Sequence, residues 1–386
     1  MNSKSFAIIK VEDFVMEDLL NFLITVRDDR SPWKIKHLLS DIVLLIFFAR
    51  LSGAEHWDEI EEFGIAYEKS LRTVLKLENG IPSHDTLQRV FATLDSQVLV
   101  ELTQIWTSLL EACDSSSKTL PQLSKRLVAI DGKTIRGNGS QTQKALHIVS
   151  AYATDLGISY GQVATDEKSN EITAIPRLLD MISVKGCMIS IDAMGTQKAI
   201  ADKIIMKKAD YCLAVKENQK SLLEDIRPYF ELSQNFDDSY ETLEKAHGQI
   251  ELRQYEVITD TEWIRQEHPD WGHIQSIGRA RIQITKNGQE SEETRYFILS
   301  CQVSAKELCD YVRGHWQIES MHWLLDVVFR EDANKTLNKQ LAFNLNVMDK
   351  FCLAVLKQLD FGKKMSLRRK KYALSLSFDK YLKQLL

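Results

Sequence analysis

Two spacings of apolar residues divide the chain. From 11 to 114 they recur at helical intervals: Phe14 and the Leu19-Leu20 pair open one segment, and Ile35, Leu38, Leu39, Ile42, Leu45, Ile46 and Ala49 keep the spacing of a second, which stops near Gly53. Further helices are predicted at about His56 to Phe63, at His84 to Leu94 with Ser83 as cap, and at Val98 to Cys113. Asp114-Ser-Ser-Ser-Lys118 reads as a linker. Beyond it the apolar runs shorten to strand length: Leu127 to Asp131, then Ala145 to Ala153 and Ile158 to Thr165 joined at Asp155-Leu-Gly157, then Cys187 to Asp192 and Asp210 to Val215. Helices at Ile172 to Ile182 and Thr196 to Lys207 separate the later strands, so the pattern predicts a mixed five-stranded α/β sheet. Between 217 and 300, strand-like Gln254 to Ile258, Ile274 to Ile277, Ala280 to Thr285 and Arg295 to Ser300, with Asn287-Gly288 as a hairpin turn, predict a mostly β insertion. A long helix opening near Ser304 closes the pattern. The expected units are 1–118 (all-α), 119–216 and 301–350 (two parts of one α/β core), 217–300 (insertion) and 351–386 (helical tail).

The candidate chemistry sits on strand ends. Val-Ala-Ile-Asp131 and Ile-Ser-Ile-Asp192 end at the same relative position, Asp131 with Gly132 expected to stop its strand. Ligand sites in such sheets lie outside the carboxyl ends of the strands. An Asp-Gly pair is also a common turn opener, but two carboxylates delivered together repel and call for a cation. On the closing helix, His315, Glu319, His322 and Asp326 share one stripe at roughly 100° per residue, flanked by Trp316 and Trp323. Asp131, Asp192 and Glu319 would put three acids around one crevice; all-oxygen ligands favour Mg²⁺ or Mn²⁺, and two such ions suit in-line phosphoryl displacement. Glu331-Asp332 competes with Glu319 for the third place. Lys133 and Arg136 after the first strand, and Lys216 and Asn218 after the last, offer phosphate contacts or are plain loop polarity. Arg89 lies on a short helix that is either a DNA-reading helix or an ordinary surface helix; Arg313, His315 and His322 complete the candidate DNA contacts.

Composition changes the picture little. Of 386 residues 44% are hydrophobic and 27% charged, ordinary for a soluble protein. Net charge is −5, but 361–386 carries +7, leaving −12 for the rest: a tail suited to phosphates, or a solvated helical face. Six scattered cysteines show no metal-ligand spacing and suit a reducing compartment. The longest apolar run, Ile42 to Ala49, is far short of the roughly 20 residues of a membrane span. A cytoplasmic protein with no membrane partner is expected.

Several segments resemble one family. Ala129-Ile-Asp-Gly-Lys-Thr-Ile-Arg-Gly137, Lys168-Ser-Asn-Glu-Ile-Thr-Ala-Ile-Pro176, Ile191-Asp-Ala-Met-Gly-Thr-Gln197, Val215-Lys-Glu-Asn-Gln219, and His315-Trp-Gln-Ile-Glu319 with His322-Trp-Leu-Leu-Asp-Val327 look like the ISAs1 family of bacterial insertion-sequence transposases. Ile81-Pro-Ser-His-Asp-Thr86 looks like the helical domain that accompanies it. The resemblance implies an RNase H-like catalytic domain, a DDE triad that maps to Asp131, Asp192 and Glu319, dependence on Mg²⁺ or Mn²⁺, DNA ends and target as partners, and a homo-oligomer that joins two ends. The chain departs from the Tyr-x2-Arg-x3-Glu-x6-Lys pattern of related transposases, holding Val312, His315 and Asp326 at the partner positions, and has His-Gly-Gln249 where His-Gly-Arg is expected. The function implied is DNA cleavage and strand transfer at element ends; the alternative is a catalytically silent DNA-binding relic or regulator.

Overall fold

The run at 42–49 becomes the centre of a helical unit. The computed structural model describes residues 15–114, 124–165, 171–232, 236–246 and 248–385. Most of the linker, the first three residues of the segment opening at Lys168, Phe14 and His247 lie outside them. Six helices come first: α1 (Val15–Thr25), α2 (Leu39–Leu51), α3 (Trp57–Ala66), α4 (Glu68–Leu71), α5 (His84–Thr93) and α6 (Ser96–Asp114). Every residue of α2 is buried, Asp41 and Arg50 included; a helix apolar all round has no solvent face to offer. Asp41 accepts the backbone N–H groups of Lys76 and Leu77. Ser83 stands at the N-cap position of α5, but its hydroxyl bonds Thr86, and Glu61 accepts the His84 amide instead.

The second unit runs β1 (Leu127–Ile135), β2 (Leu146–Ala153), β3 (Ile158–Ala164), α7 (Glu171–Met181), β4 (Met188–Ile191), α8 (Lys198–Met206), β5 (Asp210–Val215), α9 (Lys220–Leu232), β6 (Asp238–Ala246), β7 (Gln249–Ile258), α10 (Glu262–Glu267), β8 (Ser276–Lys286), β9 (Gln289–Leu299), α11 (Ala305–Phe329), α12 (Lys339–Gln358), α13 (Leu367–Leu376) and α14 (Phe378–Leu385). The strands form one sheet of nine in the order β3-β2-β1-β4-β5-β9-β8-β7-β6, not the five expected. The reason lies in β9, which returns antiparallel beside β5 with Cys212 opposite Leu299 and Val215 opposite Tyr296. The inserted hairpins therefore extend the edge of the core sheet. The Asn287-Gly288 turn is as expected, both residues at positive φ.

Gly132 does not end β1. The strand continues to Ile135 against β2, whereas its parallel pairing with β4 stops at Ile130 opposite Ile191. The long helix α11 lies on β1 through Gly314, where a methyl group would overlap the Leu127 side chain. It ends at Phe329, with Arg330 in the left-handed region, so Glu331 and Asp332 are not on the helix.

Helix α12 runs unbroken across the expected boundary at 350/351 and joins the two units. On one side Asp349 takes the Arg50 guanidinium bidentately at 2.6–2.9 Å, both side chains almost fully buried. On the other, Lys350 Nζ donates to Ser150 Oγ and Gln162 Oε1, each at 2.6 Å. The basic tail is partly structural: Lys370 donates to the Leu356 and Leu359 carbonyls at the end of α12, and Lys371 to the Val328 carbonyl at the end of α11. Among the described residues no helix is long and apolar enough to cross a membrane, and Cys187, Cys212, Cys301, Cys309 and Cys352 are free thiols.

Removing one partner of a buried ion pair leaves an uncompensated charge. Asp349→Ala is expected to cost about 3–5 kcal/mol in denaturant unfolding, and Arg50→Met in the same chain to restore most of it.

Candidate active site

The end of the β1–β4 ladder sets the site. Ile130 and Ile191 are opposite one another, so Asp131 and Asp192 emerge side by side. After Ile191 the chain turns away through a 3₁₀ turn at Ala193–Gly195, and Asp192 Oδ1 accepts the Gly195 N–H at 3.2 Å. Asn218, offered by the sequence as a DNA contact, instead donates its amide to the Ala193 and Thr196 carbonyls at 2.5 and 3.4 Å. It holds the loop behind Asp192.

Helix α11 faces this ladder with its histidines. His322 Nδ1 stands 3.4 Å from Asp131 Oδ2, and His315 Nδ1 is 2.9 Å from Ser190 Oγ on β4. Both rings turn inward, while the flanking Trp316 and Trp323 are 42% and 59% exposed. Arg295 stacks over Trp316. Glu319 lies exposed on the rim, one turn beyond His315. Among the described residues no three acidic, histidine or cysteine side chains converge on a single ion position.

The two strand-end acids differ electrically. Burial works to raise the Asp131 acid, but the adjoining His322, helped by His315 and the Gly132 amide, outweighs it and holds the group below the usual carboxylate range. Asp192 is pushed up, first by burial and then by the charges of Glu171 and Asp131, against the opposing Gly195 amide. Burial lowers His315, with Asp131 and Glu319 opposing.

The remaining sequence candidates divide. Lys133 is not free for a phosphate: Nζ is held by Asp326 at 2.6 Å, Glu331 at 2.5 Å and the His322 carbonyl at 3.2 Å. This assigns Asp326 and Glu331 to holding Lys133, and Glu331 also accepts from Asn346. Arg313 is tied to Glu244 on β6, at 2.6 and 3.1 Å, and fastens α11 to the insertion. Arg136, Lys216 and Arg89 are exposed. The sequence reading missed Glu171 and its partner His147; an acid opening the helix before the second Asp strand was the available signal.

Comparisons with known proteins give the family. A family model described as Transposase DDE domain matches residues 122–355, and one described as DDE_Tnp_1-associated matches 20–107. The chain is 38% identical over 330 residues to "H repeat-associated putative transposase YhhI" of Escherichia coli (strain K12), covering 83% of this chain and 85% of that one. It is 37% identical over 370 residues to "Putative transposase YncI" of Escherichia coli O157:H7, covering 93% of each. Among solved structures it aligns with a piggyBac transposase synaptic complex with hairpin DNA at TM-score 0.43 and 11% identity, over 99% of this chain and 79% of that one.

Lys133→Ala removes the cation that two acids beside α11 share. A loss of about 2–3 kcal/mol on unfolding is expected, with DNA affinity and its salt slope in gel shifts unchanged. Asp192 is raised in the folded chain, so its ionised form costs stability at neutral pH and the cost fades as pH falls through the folded value. Asp192→Asn should therefore melt higher than wild type at pH 7 in chelator, and divalent cations should raise the melting temperature of wild type but not of the variant.

Proposed function

Because the chain belongs to the DDE transposase family, we propose that it binds the ends of an insertion sequence and cuts and joins DNA there, with Asp131, Asp192 and Glu319 as its acids. The observation that carries this reading is the emergence of Asp131 and Asp192 together from adjacent parallel strands. Family chemistry depends on a divalent metal. The donor set, carboxylate oxygens with no thiolate, fits a hard cation, Mg²⁺ before Mn²⁺. Asp131, Asp192 and Glu319 would hold it; when bound, it polarises the scissile phosphate and favours the deprotonated nucleophile.

The chain's own residues prepare that chemistry. His322 keeps Asp131 ionised, so this acid enters the reaction as an oxygen ligand and not as a proton donor. The Gly195 amide fixes one oxygen of Asp192 and leaves the other to the crevice. Ser190 orients the His315 ring one turn before Glu319, the acid carried by a helix that meets both the core strands and the insertion. Arg136 and Lys216, exposed after β1 and β5, are placed to approach the DNA backbone, as are the outward-facing tail cations Lys363, Lys364, Arg368, Arg369 and Lys380. The reaction is in-line: water or a 3′-hydroxyl oxygen bonds to phosphorus as the bond to the departing oxygen breaks on the opposite side. Joining two ends calls for at least two copies on one DNA assembly.

The test is a strand-cleavage assay with Mg²⁺ on duplexes carrying the terminal inverted repeats that flank the reading frame. Asp131→Ala, Asp192→Ala and Glu319→Ala should each cost several kcal/mol of transition-state stabilisation, on the order of 10³-fold in rate, while retaining gel-shift affinity. Cleavage that survives Asp131→Ala sinks the assignment, and binding without cleavage by wild type makes the chain a silent relic.

A further inference from the structure

A third carboxylate has been built against the strand-end pair. Glu171 opens α7, the helix that leads into β4, and is 9% exposed. Its Oε1 lies 2.8 Å from His147 Nε2 on β2, and the other ring nitrogen, Nδ1, lies 2.8 Å from Thr134 Oγ1. Thr134 and His147 are partners across the β1–β2 ladder. A carboxylate only accepts, so Nε2 carries the proton, and in the neutral ring Nδ1 receives the Thr134 hydroxyl. The ring is thus held from both sides, and it holds the carboxylate.

The backbone makes room for this. Gly132 follows Asp131 directly, and a methyl group on it would overlap both Glu171 Oε1 and His147 Nε2. Glu171 therefore crosses β1 where that strand has no side chain, next to the first acid of the site. Its charge, like that of Asp131, pushes the Asp192 acid up. A mere anchor for α7 would gain nothing from lying beside two other acids, since like charges in a part-buried crevice raise one another's energy. His322 and His147 each answer one of these acids, and a divalent cation is the charge that would answer all three at once.

We propose that Glu171 faces the divalent cation of this site and adds its charge to the hold of Asp131 and Asp192, with His147 as the residue that positions it. The proposal rests on the reading of Asp131 and Asp192 given above, and the experiment separates the two. Full-length, chelator-stripped protein is titrated with Mn²⁺, and free Mn²⁺ is followed by electron paramagnetic resonance. Asp131→Asn should abolish tight uptake. Glu171→Gln, whose amide oxygen still accepts from His147, should weaken Kd about tenfold, equivalent to about 1.4 kcal/mol, and should melt no lower than wild type in chelator. Glu171→Asp keeps the charge and should fall between wild type and Glu171→Gln. His147→Ala, which frees the carboxylate, should weaken uptake less than Glu171→Gln does. Wild-type affinity in both Glu171 variants, with Asp131→Asn silent, overturns this proposal alone; so does a lower melting temperature for Glu171→Gln without a change in Kd. Wild-type affinity in Asp131→Asn overturns the underlying assignment of the acids.

Discussion

The structure turns on a parallel ladder that breaks at one place. β1 and β4 pair in register up to Ile130 and Ile191 and then separate, β1 continuing with β2 and the chain after β4 turning off through Ala193–Gly195. Two parallel neighbours present their carboxyl ends on the same side of the sheet, so residues that follow the last paired rung leave it together. A one-residue slip in either strand would send one aspartate to the opposite face, because side chains alternate with a period of two. The apolar runs before each aspartate, buried on both faces, fix the register, and with it the spacing of the charges.

Charge then distinguishes two acids that the fold makes equivalent. Asp131 meets a histidine, whereas Asp192 meets carboxylates. The same helix supplies His322 to Asp131 and Glu319 to the rim, so a shift of α11 along β1 would change both ends of the site at once. Gly314 against Leu127 is the close contact that sets this position.

What could be read from the sequence followed the same physics. The helical and strand periods located α2, α5, the β2–β3 hairpin, the Asn287-Gly288 turn and both Asp-ending strands, because each is set by neighbours in sequence. The nine-stranded sheet was not legible: nothing local says that β9 returns beside β5, more than eighty residues earlier in the chain. Gly132 misled for a related reason. Its missing side chain looked like a strand end, and only the packing of Glu171 and His147 against it explains a glycine in mid-strand. Lys133, Asn218 and Arg313 looked like phosphate ligands because a sequence shows charge and polarity without partners. Each has one in the fold, and Lys133 is largely buried.

Apart from Asn218, whose carbonyl partners lie behind Asp192, these contacts run towards the element that carries Glu319. Lys133 from β1 donates to the His322 carbonyl and to Asp326, Arg313 ties α11 to the insertion, and Lys371 from α13 caps the Val328 carbonyl. Arg330, just past the helix, reaches Glu55 of the helical unit, whose Arg50 is locked to Asp349 of α12. Every unit of the chain thus grips one helix or its immediate end. An acid exposed on a rim is displaced easily unless its backbone is fixed, and long cationic side chains fix a backbone when their charge is matched and their stems are packed. Lys133 and Lys371 are largely buried in making these contacts while Arg313 and Arg330 keep much of their surface, and Glu319 thereby sits on an element that moves only if the units move with it.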